Sequence, residues 1–123
     1  MDLSEELRQL FASARKAASQ SREQARDMRT AMKISRKIAK AGMRLKKAAN
    51  RDENKVKPGE LDGIRKDLTV RLDEISEMIN DIRRLDFMGR DEIVTRLDLA
   101  SYQMNEEFTQ NWPEFERLVK EHA

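Results

Sequence analysis

Leu61, Leu68, Ile75 and Ile82 recur every seven residues, and no other feature restricts the fold of this chain as tightly. Side chains seven apart lie two turns apart on one face of an α-helix, whereas a strand alternates faces every two residues. A period of seven sustained over almost four repeats therefore predicts a helix with a single apolar stripe. Ile64, Leu72, Met78, Ile79 and Leu85 widen that stripe. The pattern predicts a helix from about Pro58 to Asp86. Asp62–Lys66 and Asp67–Arg71 are acid-first (i, i+4) pairs on its outer face, each worth only about 0.2–0.5 kcal/mol.

One striped helix cannot bury itself, so its partners must lie on either side in the sequence. Phe87-Met88-Gly89-Arg90-Asp91 reads as a tight turn, with Gly89 suited to a left-handed C-cap and Asp91 to an N-cap. Beyond it Ile93, Leu97, Ala100, Met104 and Phe108 share a stripe, and Pro113 either kinks that helix or ends it before a last short one through Phe115, Leu118 and Val119. So short a turn joins two antiparallel helices. Upstream, Asp2 or Ser4 can cap a helix whose first turn carries Glu5 and Glu6. Leu3, Leu7, Leu10, Ala14 and Ala17 keep heptad spacing, and Met28, Met32 or Ala31, Ile38, Leu45 and Ala49 continue it. The favoured expectation is one helix from about Ser4 to Asn50, roughly 70 Å long. The alternative is a break near Ser21, where Ser19-Gln20-Ser21 and Gln24 could restart a helix through a capping box.

Two prolines and four glycines in 123 residues are too few for a strand-and-turn architecture. The class is all-α: an elongated antiparallel three-helix bundle, or four-helix if the first segment breaks. Its parts are a long basic helix (1–50), a polar linker (51–59) and an acidic helical hairpin (60–123). The unpartnered length of a continuous first helix would favour self-association, as a coiled-coil oligomer or a subunit of a larger complex. There is no cysteine, hence no disulfide, thiolate metal site or cysteine nucleophile. The amino-terminal residues lack a basic start and an apolar run, no stretch is apolar enough to span a membrane, and the expected location is cytoplasmic.

Charge separates the two halves. Residues 1–57 hold 16 basic and 7 acidic side chains, a net of +9, and residues 58–123 hold 9 and 16, a net of −7. Between Asp27 and Asp52 lie 24 residues without an acid, nine of them Lys or Arg. On a helix Lys33, Lys37, Lys40, Arg44 and Lys47 form one stripe, flanked by Arg29 and Arg36. Such a stripe can follow a phosphate backbone with salt-dependent affinity. No aromatic residue lies between Phe11 and Phe87, so base stacking within the stripe is unavailable and backbone contact is the expected mode. The small apolar residues behind it (Ala31, Ala41, Gly42) suit helix packing better than insertion among lipids.

Other candidates are weaker. Arg117-Leu118-Val119-Lys120-Glu121-His122 resembles the Arg-x4-His spacing of the helical HEPN ribonuclease family, over six residues only and with Leu118 where that family has a polar residue. The resemblance implies Arg117 and His122 as an RNA-cleaving pair, whereas the sequence as a whole reads as non-catalytic. Asp73, Glu74, Glu77 and Asp81 lie mostly off the apolar stripe and lack a Glu-x-x-His motif, so no metal and no cofactor is expected. They read as a solvated face or a docking strip for the basic segment. Trp112 and Tyr102, with Phe108 and Phe115, place four of the six aromatics near the carboxyl end, either closing the bundle or forming a protein-binding spot.

These observations predict an assembly subunit that contacts nucleic-acid backbone through Lys33, Arg36, Lys37, Lys40, Arg44, Lys46 and Lys47. The competing expectation is an adaptor or inhibitor that docks the basic segment on an acidic protein surface.

Overall fold

The computed structural model describes residues 2–18 and 21–122 and contains four helices. They are α1 (Leu3–Ala18), α2 (Arg22–Ala49), α3 (Leu61–Arg83) and α4 (Arg90–Glu121). The all-α expectation is met, in its four-helix form.

The continuous first helix is not formed. Ser21 is extended (φ −131°, ψ 122°), and its Oγ accepts from the Gln24 N–H at 3.3 Å while its carbonyl accepts from Ala25 N–H at 2.9 Å. That is a helix N-cap, and it lets α1 fold back on α2 instead of extending it. Ser19 and Gln20, part of the predicted restart, lie outside the described residues. The reversal removes the long unpartnered arm from which self-association was expected. It also changes which side chains face inward. Phe11, absent from the predicted stripe, is buried with Leu7 and Ala14, whereas Ala17 is exposed.

α1 packs on α2 and α4, and α3 packs on α2 and α4. Each helix runs antiparallel to the one before it. α2 seals one end of the bundle with polar groups. Its Asp27 Oδ2 accepts from Asp86 N–H at 2.9 Å, and its Gln24 Oε1 accepts from Met88 N–H at 3.3 Å, tying down the α3–α4 turn. Phe11 stacks on Phe87 beside this clamp, ring centroids 6.4 Å apart. Asp2 Oδ1 caps α1 from Glu5 N–H at 2.8 Å. Gly89 is the predicted left-handed residue (φ 90°), but it caps the start of α4, so Asp91 falls inside the first turn. α4 passes through Pro113 without ending.

The core has two parts. The larger joins all four helices through Met28, Ala31, Ile38, Ile75, Ile79, Ile82, Ile93 and Leu97 with the α1 residues. The smaller joins only α2, α3 and α4, around Leu45, Ile64, Leu68 and Leu72, with Val56 of the linker packed against it. The cause is length: α1 has 16 residues and α4 has 32, about 24 Å against about 48 Å. The linker turns twice, at Glu53–Lys55 and Pro58–Glu60, before α3 begins at Leu61.

Candidate nucleic-acid interface

α2 keeps the two faces its sequence prescribes. Met28, Ala31, Ser35, Ile38 and Leu45 are buried. Arg29, Lys33, Arg36, Lys37, Lys40, Arg44 and Lys47 are all exposed, on the opposite side. The same spacing extends back to Arg26 and Arg22, which are also exposed. From Arg22 to Lys47 the ridge is about 38 Å long at about 1.5 Å per residue. Lys46 departs from it. It lies about 100° around the helix from Lys47 and lines a groove between α2 and α4 together with Asp2.

No carboxylate of the described residues comes within 4.0 Å of any of the seven predicted cations. The acidic hairpin neutralises its own bases instead. Asp67 pairs with Arg71 at 3.3 Å, Asp81 with Arg84 at 3.2 Å, Asp98 with Arg83, and Glu116 with Lys120 at 2.9 Å. Asp73, Glu74 and Glu77 are exposed on α3. The docking strip envisaged for them does not form, because α2 meets α3 through apolar side chains and turns its cations outward. Among the described residues no His, Cys, Asp and Glu group could hold a metal ion.

Two cations that the sequence left unremarked join the ridge. Arg8 and Arg15, seven apart on α1, line a groove against α2 with Arg36 and Lys40, over a floor that includes Phe11 and Met32. The groove encloses about 420 Å³. Arg15 Nη2 donates to Met32 Sδ at 3.8 Å, resting its guanidinium on the thioether. Ser35, 2% exposed, lies in the same floor, and its Oγ has no hydrogen-bond partner among the described residues. The spacing of Arg8 and Arg15 was the available signal. Which face of α2 they would meet depended on the reversal at Ser21.

The remaining sequence candidates fall apart from this surface. Arg117 is held by Glu114 and Glu121, each at 2.5 Å, which raises its pKa further above the usual arginine range. His122 is exposed and ends α4 through its backbone N–H to Leu118 O. Tyr102 is 60% exposed and donates to Glu106 Oε1 at 2.9 Å. Trp112 is half-buried between Phe108 and Phe115, at 5.8 and 5.5 Å, and donates to Glu116 Oε2 at 2.9 Å. The two proposed protein contacts are therefore separate: Trp112 lines the α2–α4 groove and Tyr102 does not. Among the described residues no helix is long and apolar enough to cross a membrane. Compared with protein-family models, curated proteins and solved structures, the chain matches none.

Proposed function

We propose that this chain is a non-catalytic assembly subunit that lies along a nucleic-acid backbone through the exposed face of α2. One observation carries the proposal: the ridge from Arg29 to Lys47 is exposed, and no carboxylate of the described residues pairs with it. Uncompensated cations repel one another, so an ordered row of them favours a polyanion with a comparable charge repeat. Arg8 and Arg15 add guanidinium forks at the groove edge, where a phosphate can be held by two parallel N–H donors. The ridge carries no aromatic side chain, so contacts to phosphate rather than to bases define the mode, and affinity is insensitive to sequence.

The test is binding of a 30-base-pair duplex and a single strand of the same length, followed by fluorescence anisotropy across a salt series. If six phosphates are neutralised, log Kd changes against log salt with a slope of about 5 in magnitude. The triple substitution Lys37→Glu, Lys40→Glu and Arg44→Glu abolishes binding while helicity and the thermal midpoint persist. A triple variant that binds as tightly as the parent overturns the reading. Tighter binding to polyglutamate than to nucleic acid of equal charge would favour an acidic protein surface instead.

A further inference from the structure

The groove between α1 and α2 has an apolar floor that contact with a phosphate backbone leaves unused. We infer that this groove binds a small amphipathic anion, with one carboxylate or phosphate head and a hydrocarbon tail. Leu7 and Phe11 of α1 and Met32 and Ala39 of α2 give the apolar lining, and Met43 stands at its edge, 70% exposed. Arg8, Arg15, Arg36 and Lys40 line the same groove, and all four are exposed. The lining includes no Asp or Glu, and none of the four cations joins an ion pair among the described residues. Charge of one sign therefore borders an apolar hollow. Its volume of about 420 Å³ is that of a small-ligand site, which usually measures about 300–1,000 Å³.

The two helices order the site from head to tail. Arg15 Nη2 donates to Met32 Sδ at 3.8 Å, which sets Arg15 at the Met32 end of the groove. Because α1 runs antiparallel to α2, Leu7 falls toward Met43. From Met32 to Met43 the groove follows α2 for about 16 Å, a length that suits a chain rather than a compact ring. The head sits between Arg15 and Arg36, where guanidinium forks offer paired N–H donors to carboxylate or phosphate oxygens. The tail runs toward Leu7, Ala39 and Met43. The methylene stems of Arg8 and Lys40 add apolar wall there while their charges stay in water.

Ser35 supplies an independent indication. It lines the groove and is 2% exposed, and its Oγ has no hydrogen-bond partner among the described residues. A head oxygen, admitted as the flexible Met32 side chain gives way, accepts from that hydroxyl and satisfies it. Other anions use less of the site. A nucleobase laid on the floor would bury its ring nitrogens and carbonyls with little to bond them. A bilayer does not reach it, since Leu7 and Phe11 are each only 4% exposed and lie below the exposed arginines.

The probe is cis-parinaric acid, a fluorescent long-chain carboxylate, kept below its micelle concentration with no nucleic acid present. Its emission rises saturably at one molecule per chain, and laurate displaces it. Dodecanol, which lacks the charge, and acetate or inorganic phosphate, which lack the tail, do not. Ala12→Glu sets a carboxylate on an exposed residue of the groove; it abolishes the rise and leaves the thermal midpoint in place. Arg36→Gln weakens binding about tenfold, and Ser35→Ala about fivefold without loosening the fold. Absence of a saturable rise overturns the proposal. So does displacement by dodecanol or inorganic phosphate as effective as that by laurate, a rise unchanged in Ala12→Glu, or binding seen only with phosphatidic acid vesicles. These readouts stand or fall apart from duplex binding by the α2 ridge.

Discussion

A β-carbon built on Gly89 lies 3.1 Å from the β-carbon of Ala14. The turn between α3 and α4 thus presses its bare backbone against α1, at a residue whose φ of 90° disfavours any side chain. Gly89→Ala meets both penalties at once. It is expected to lower stability by about 1–3 kcal/mol, read as a fall in the urea midpoint with an unchanged slope. An unchanged midpoint would mean that α1 is not seated on this turn.

The reversal between α1 and α2 depends on Ser21. Its hydroxyl satisfies one of the first N–H groups of α2, so Ser21→Ala costs about 0.5–2 kcal/mol, whereas Ser21→Asp, which keeps an acceptor, costs little. Urea denaturation followed by circular dichroism separates the two. Equal losses for both would place the cause of the break elsewhere.

Ser35 has the opposite expectation. Its hydroxyl is buried without a partner among the described residues, and an unmade hydrogen bond in the interior costs about 1–3 kcal/mol. Ser35→Ala removes the orphaned group and supplies the best helix former. The variant should unfold at a higher urea concentration than the parent. A destabilised variant would show that the hydroxyl is satisfied in solution.

Arg8 and Arg15 should behave as part of the ridge even though they lie on another helix. Replacing both by Ala is expected to reduce the salt slope of duplex binding by about 2 in magnitude, since each phosphate contact adds about 0.9. Loss of affinity with an unchanged slope would mean that they act through packing on Met32.

At the carboxyl end, Lys120 and then Trp112 Nε1–H donate to Glu116 and hold its carboxyl below the usual glutamate pKa; Arg117 does the same for Glu114. A lowered folded-state pKa contributes stability that is fully present above the unfolded value and lost as pH falls through the folded one. Trp112 emission should therefore be flat from neutral pH down through the ordinary glutamate range and change only below it. Glu116→Gln should remove that step. A change centred at or above the ordinary value would contradict the arrangement.

How much of this was legible beforehand differs from residue to residue. Leu61, Leu68, Ile75 and Ile82 announced α3 because a seven-residue period is a local property of one helix, and all four are buried. Gly89 was recognised as left-handed, but not that it opens α4, since that depends on where the next turn of helix closes. Lys37 and Arg44 were recognised as outward-facing because they stand opposite Ile38 and Leu45 on the same helix. Lys46 was named beside them as a phosphate contact, and its spacing from Lys47 turns it away from their stripe, although it too is exposed.

Sequence alone therefore determined what neighbours along one helix decide: helix content, the apolar stripe of α3, and the cationic face of α2. Tertiary structure decided whatever required two segments to meet. A cap at Ser21 costs little locally, and only the burial of Leu7, Phe11 and Ala14 between α2 and α4 makes the reversed arrangement more stable than one long helix. From that reversal come the alignment of Arg8 and Arg15 with Arg36 and Lys40, and the groove that these four line over Phe11 and Met32. Neither is encoded in any single periodicity, because each is a relation between faces of different helices.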